Sequence, residues 1–154
     1  MFNWLGQDLS GRRCLDLFAG SGALGFEAAS RGALQVVMVE NDAAALAELA
    51  RSRAALGAEQ VQIFAGDAGA YLAGEASGFD VVFLDPPFRQ NAMPALLDSL
   101  PAHLLRGARV YVESDAPIVV ASPWIELKRG RAGLVSYQLL EWGGHDQGGI
   151  SGDV

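Results

Sequence analysis

A doubly wound α/β fold on a mostly parallel sheet is the architecture this sequence predicts, from three observations. Apolar strand-like runs alternate with helical segments from Arg13 to Glu113, the pattern of right-handed crossovers that leave helices on both faces of a sheet. A glycine-rich turn, Gly20-Ser21-Gly22-Ala23-Leu24-Gly25, separates the first strand from the helix after it. Asp16, Glu40, Asp67 and Asp85 fall at or near the ends of successive strands, the carboxyl edge where such sheets bind ligands.

Taken in order, Phe2-Asn3-Trp4-Leu5 reads as the last turn of a helix that Gly6 ends, and Ser10-Gly11 as a turn. Arg13 to Phe18 is a mostly apolar first strand, as expected of a strand covered on both faces. Ala19 to Gly22 forms a loop, Ala23 to Arg31 a helix stopped by Gly32, and Gln35 to Glu40 a β-branched second strand. Asn41 or Asp42 caps a helix on which Leu46, Leu49, Ala50 and Leu56 share a face, Arg51 and Arg53 point outward, and Gly57 closes the last turn. Val61 to Ala65 is the third strand, followed by Gly66-Asp67-Ala68 and a short helix through Tyr71 and Leu72. Asp80 to Leu84 is the fourth strand, Met93 to Leu105 a helix broken at Pro101, and Ala108 to Glu113 the fifth strand. Trp124 to Arg129 and Leu134 to Trp142 form a terminal hairpin joined through Gly130 to Gly133.

At 154 residues the chain is expected to be one domain, 1–142, followed by a glycine-rich polar tail, 143–154, expected to be disordered. A net charge of −7 argues against a protein that grips nucleic acid unaided. Lys128, Arg129 and Arg131 read as a solvated hairpin, and His103 and His145 as isolated surface histidines, so no metal site is expected. Cys14, the single cysteine, sits in an apolar strand pattern and fits a reducing compartment. No apolar stretch reaches membrane-spanning length and no signal peptide is evident, so a cytoplasmic protein is expected.

The chemistry centres on Asp85-Pro86-Pro87-Phe88. A carboxylate at the end of a buried strand, followed by two prolines, makes a stiff turn whose polar atoms have no partners in the sheet. Phe88 adds a flat apolar face suited to an amine-bearing ring, although alone the motif equally describes a strand ending in a proline turn. The glycine turn matches G-x-G-x-x-G, with Glu40 about twenty residues on, as dinucleotide folds require. Close passage of a ligand over such a turn suits NAD and S-adenosylmethionine alike, and Glu40 can bind ribose hydroxyls in either. Asp16 and Asp67 favour the sulfonium cofactor, whose amino group and adenine need acceptors, whereas NAD needs a hydride partner that this short chain has little room to supply. A turn-tightening role for the glycines and a helix cap for Asp67 are the structural alternatives.

With Leu15 to Gly25, Val39-Glu40-Asn41-Asp42 and Asp85 to Phe88 in place, the chain resembles the RsmD-type 16S rRNA (guanine-N2)-methyltransferases, and Phe2-Asn3-Trp4-Leu5 and Tyr111-Val112-Glu113-Ser114 extend the resemblance to about Trp142. The resemblance implies a Rossmann-like class I methyltransferase fold, seven strands in order 3-2-1-4-5-7-6 with the last antiparallel, and S-adenosyl-L-methionine as cofactor. It implies that the methionine end lies over Asp16 and the loop Phe18, Ala19, Gly20, Ser21 and Gly22. Glu40 would take the ribose, Asn41 would lie beside the adenine with Asp67 and Ala68 at its edge, and Asp85, Pro86, Pro87 and Phe88 would hold the target base. The partner implied is 16S rRNA or the small ribosomal subunit, and the expected state is a monomer. That family begins with an additional basic N-terminal segment that helps grip RNA, and this sequence starts where that segment ends. An adenine-N6 methyltransferase, a non-catalytic cofactor-binding assembly factor and a small NAD-dependent oxidoreductase are the competing readings.

Overall fold

The computed structural model describes residues 2–74, 77–86 and 93–144. A short helix α1 (Phe2–Leu5) precedes β1 (Arg13–Asp16), α2 (Ala23–Ser30), β2 (Gln35–Glu40), α3 (Ala43–Leu56), β3 (Val61–Ala65), α4 (Ala68–Leu72), β4 (Phe79–Leu84) and α5 (Met93–Ser99). A 3₁₀ turn (Leu100–His103) then leads into β5 (Leu104–Ser114), β6 (Trp124–Ala132) and β7 (Val135–Trp142).

These strands form one seven-stranded sheet in the order β3-β2-β1-β4-β5-β7-β6, as the resemblance implies. β1 pairs in parallel with β2 and β4, and β2 with β3 and β4 with β5 likewise, whereas β7 runs antiparallel to both its neighbours. Parallel strands send every exit to one edge, so the loops after β1, β2, β3 and β4 converge there. Alternate residues of the central strands feed separate cores on the two faces. Leu15, Val37, Val82 and Val112 meet α4 and α5 on one face, and Cys14, Val36, Phe83 and Tyr111 meet α2 and α3 on the other. Cys14 is wholly buried, and burial pushes its thiol up to about 12.

Several boundaries differ from expectation for tertiary reasons. β1 stops at Asp16, because the turn over Leu17 and Phe18 carries the chain away once the Leu17 N–H has bonded to the Phe83 carbonyl at 3.3 Å. α2 ends at Ser30, one residue early, with Arg31 as its cap. The α3 face is covered only in part: Leu49 is buried, but Ala50 is exposed and Leu56 is 64% exposed. Arg53 does not look outward, and its Nε donates to the Val61 carbonyl at 2.6 Å. The helix beginning at Met93 ends at Ser99, because Pro101 sits at the start of the 3₁₀ turn, and Leu104 and Leu105 already belong to β5. The first hairpin strand runs on to Ala132, longer than expected and with Gly130 inside β6, whereas β7 starts one residue late at Val135, so the chain turns at Gly133 and Leu134. His103 is not a surface residue: it is fully buried, with Nε2 3.0 Å from the Leu72 carbonyl. His145 and the tail beyond Gly144 lie outside the described residues.

Candidate active site

Asp16 ends the central strand β1 and is 1% exposed, its Oδ1 accepting the Phe18 N–H at 3.3 Å. Burial pushes its carboxyl up to about 7; the hydrogen bond from Phe18 works against this, while the charges of Asp85 and Glu40 add to it. The turn that follows is held by its own backbone, with Ala19 N donating to Val39 O at 3.0 Å and Gly22 N to Ala19 O at 2.8 Å.

Two glycines of this turn serve different needs. Gly22 lies at φ 86°, and a Cβ there would stand 2.6 Å from side-chain atoms of Leu49 and Phe26, so sterics and backbone both demand glycine. Gly20, at φ 55°, would project a Cβ into open space. Helix α2 gains its close approach to the sheet from Gly25, where a Cβ would fall 2.4 Å from Met38 Cε.

Glu40, at the end of β2, accepts from Gly20 N at 2.8 Å through Oε1 and from Asp42 N at 3.0 Å through Oε2. One carboxylate thereby clasps the glycine turn and the start of α3, where Asp42 caps the helix through Ala45 N at 2.9 Å. The β3 exit is tied alongside by Gly66 N to Glu40 O at 2.9 Å, and Asp67 caps α4 through Ala70 N at 2.7 Å. The capping alternative for Asp67 is therefore observed, yet the residue also lines the cleft.

A cleft of about 800 Å³ opens at this edge. Among residues expected at the site, Phe18, Gly20, Glu40, Asn41, Asp67, Ala68, Asp85 and Pro86 line it. Asp16 is buried next to the lining residues Leu17 and Phe18 and does not itself line the cleft; Ala19 and Gly22 are buried in the turn, and Ser21 is exposed away from the lining. Pro87, Phe88 and Arg89 lie outside the described residues. Asp85 stands exposed at the mouth, and partial burial, then the charge of Glu113, pushes its carboxyl up to about 6.

Sequence reasoning missed the apolar lining. Leu17, Val39 and Leu72 floor the cleft, and Ala95, Leu96 and Ser99 of α5 wall it. These residues carry no chemistry that would single them out. The available signal was that α5 immediately follows Asp85 to Phe88 and so must pack beside that turn. The cleft thus combines an apolar floor with acceptors at its ends, an arrangement that suits a flat heterocycle joined to a cationic group.

A family profile described as Conserved hypothetical protein 95 matches residues 1–141. Ribosomal RNA small subunit methyltransferase D of Escherichia coli (strain K12) is 36% identical over 147 residues, spanning 92% of this chain and 74% of that protein. Its namesake from Haemophilus influenzae is 37% identical over 149 residues, spanning 92% of this chain and 77% of that protein. Among solved structures, yhhF from Escherichia coli, provisionally described as a methyltransferase, superposes with a TM-score of 0.87 at 35% identity and covers 92% of this chain and 81% of its own. At the level of fold alone, SMU.776, solved complexed with SAH, superposes with a TM-score of 0.72 at 15% identity over 86% of this chain and 46% of its own.

Proposed function

The chain belongs to the conserved hypothetical protein 95 family, that of the RsmD-type ribosomal RNA methyltransferases, and on that premise we propose that it transfers a methyl group from S-adenosylmethionine to the exocyclic N2 amine of a guanine in 16S rRNA. The fold is that of the class I methyltransferases. Such a substrate is met in the cytoplasm, and no helix among the described residues is long and apolar enough to cross a membrane.

The observation that carries this reading is the set of acceptors around the cleft. Glu40, Asp67 and Asp85 line one cleft, and Asp16, buried at the end of β1, feels the charges of Asp85 and Glu40, a field that favours a ligand of net positive charge, as the sulfonium cofactor is. NAD brings an anionic pyrophosphate, which dinucleotide folds hold on the backbone N–H groups of the glycine turn. Here the Gly20 N–H is already given to Glu40 and the Gly22 N–H to Ala19. The oxidoreductase reading therefore loses both its charge match and two of its donors.

In the proposed arrangement, Asp16 faces the amino group of the cofactor's methionine, Glu40 accepts from the ribose hydroxyls, and Asn41, Asp67 and Ala68 border the adenine. S-adenosylmethionine supplies, when bound, a methyl group on a sulfonium, open to attack by a neutral nitrogen. Asp85 accepts a hydrogen bond from the guanine amine, with the Pro86 carbonyl as second acceptor, and so draws the nitrogen lone pair out of conjugation with the ring. A carboxyl that ionises near 6 is mostly charged at neutral pH and takes up the proton that the methylated amine sheds. The remaining work is alignment, which reaches on the order of 7–11 kcal/mol in favourable systems. Phe88 is assigned to stack on the extruded base, worth about 1–3 kcal/mol.

Transfer of labelled methyl from S-adenosylmethionine tests the proposal, with small ribosomal subunits, naked 16S rRNA and DNA as parallel acceptors. Label in a single N2-methylguanosine after nuclease digestion is the expected result. Label in N6-methyladenosine, or none in any acceptor despite tight cofactor binding, would overturn it in favour of the adenine enzyme or the assembly factor.

A further inference from the structure

An acceptor aimed at an exocyclic amine does not distinguish guanine from adenine, since both bases carry one. The two differ at the neighbouring ring nitrogen: guanine N1 bears a hydrogen, whereas adenine N1 is a bare acceptor. A site that methylates guanine therefore gains by placing a second acceptor beside the first.

β5 supplies one. Leu84 of β4 is in register with Val112 of β5, so the next residues along, Asp85 just past the end of β4 and Glu113 still within β5, stand side by side on strands about 4.8 Å apart. In the sheet, β4 lies between β1 and β5, which sets Asp85 between the cofactor cleft and Glu113, and Glu113 does not line that cleft. Glu113 is also held in place. Its Oε2 accepts from the Tyr111 hydroxyl at 2.9 Å, and Tyr111, 2% exposed, is packed edge-on by Trp4 and stacked by Tyr137 with ring centroids 6.4 and 6.3 Å apart. The Oε1 of Glu113 has no hydrogen-bond partner among the described residues, and the side chain is half-buried. The charge of Glu113 is felt at Asp85, where it adds to the effect of burial.

We propose that Glu113 selects guanine, its free carboxylate oxygen accepting the base's N1–H while Asp85 holds the N2 amine; this rests on the methyltransferase reading above. Adenine in the same pose would turn a lone pair toward a pinned carboxylate and leave that charge desolvated and unpaired, a penalty that sites built around a hydrogen bond use for rejection. Tyr111 is then a positioning residue, since its hydroxyl acts through Glu113 and not on the base.

The test is a comparison of guanine with 2-aminopurine, which keeps the 2-amine but has an unprotonated N1, placed by RNA ligation at the nucleotide the wild-type protein labels, in reconstituted small subunits. The wild-type protein is expected to favour guanine by roughly 100-fold in kcat/KM. Glu113→Gln keeps an oxygen for the Tyr111 hydroxyl and presents an NH₂ group to the base. It should lower the guanine rate roughly 10- to 100-fold, the loss of one charge-assisted hydrogen bond, and bring the guanine to 2-aminopurine ratio close to one. Adenosylhomocysteine affinity should stay within about twofold. A purely structural role would lower both rates together, and an unchanged ratio overturns the proposal. So does a wild-type ratio near one, whether or not the variant folds. Should Glu113→Gln lose adenosylhomocysteine binding, Tyr111→Phe, which unpins the carboxylate without removing it, takes its place and must reduce the ratio several-fold. A wild-type protein that labels no guanine in subunits refutes the methyltransferase reading and is thereby told apart from failure of this inference.

Discussion

Asp16→Asn should make the cofactor-free protein more stable at pH 8 while making it a poor cofactor binder. Burial raises the Asp16 carboxyl from its ordinary 3.8 to about 7, so the folded state holds this proton more tightly than the unfolded chain does. Its contribution to stability is therefore complete below about pH 4 and is lost as pH rises through about 7. That interval corresponds to on the order of 4 kcal/mol. Asparagine never ionises, but it must bury an amide whose new donors need partners, at about 1–3 kcal/mol. A net gain of roughly 1–3 kcal/mol at pH 8 remains, and about 2–4 °C in Tm accompanies each kcal/mol in a domain of this size. Urea unfolding of both proteins from pH 4 to pH 8 gives the comparison, with calorimetry against adenosylhomocysteine alongside. Wild-type affinity should rise with pH through about 7, as the carboxylate needed by the ligand's ammonium forms, and the variant should bind roughly 10- to 100-fold more weakly with no such rise. Equal pH slopes of stability in the two proteins would refute the reasoning, because the buried proton would then not reside on Asp16.

Asp85→Ala should abolish methyl transfer while leaving adenosylhomocysteine affinity within about twofold, measured by filter binding of label and by calorimetry; near-normal turnover would remove Asp85 from the assigned role. With cofactor saturating, wild-type kcat should rise through pH about 6 as the Asp85 carboxyl ionises, and a flat profile from pH 5 to pH 8 contradicts that. Gly22→Ala should destabilise the fold by about 2–5 kcal/mol through a strained backbone and contact with Leu49 and Phe26, read as a lowered urea midpoint. Gly20→Ala, whose Cβ meets open space, should cost only about 1–2 kcal/mol and show its main effect as weaker cofactor binding.

What could be read from the residues alone follows a physical divide. β2 and β3 match their expected bounds because β-branched runs between glycine and acidic punctuation carry a local signal. The glycine turn is legible because Gly22 and Gly25 answer to steric contacts a helical turn or a strand away. His103 was misplaced because nothing beside it announces burial: its partner, the Leu72 carbonyl, lies 31 residues earlier in the chain. Leu56 looked like core because periodicity marks a face without showing how far the cover extends. α3 packs over β3, the edge of the sheet, where cover is limited, and Leu56 is left in solvent. Glu113 stood out only as part of a familiar segment, since its place beside Asp85 is a matter of strand register.

The strand-end carboxylates also show why structural and chemical readings of one residue need not compete. Both oxygens of Glu40 already accept backbone N–H groups, yet each carboxylate oxygen has room for about two hydrogen bonds. Bonds that fix the glycine turn therefore hold the remaining lone pairs in place before any ribose arrives. Asp67 repeats this with the cap of α4, and Glu113 with Tyr111. Asp16 is the exception: buried with a single weak donor, it is the carboxylate whose charge most needs a ligand. An acceptor locked by its own backbone loses little entropy on binding, whereas a buried acid without a partner gives up stability until its cation comes. Variants at Glu40 and at Asp16 should accordingly fail in opposite ways, the first by loosening the turn and the second by stabilising a protein that no longer binds.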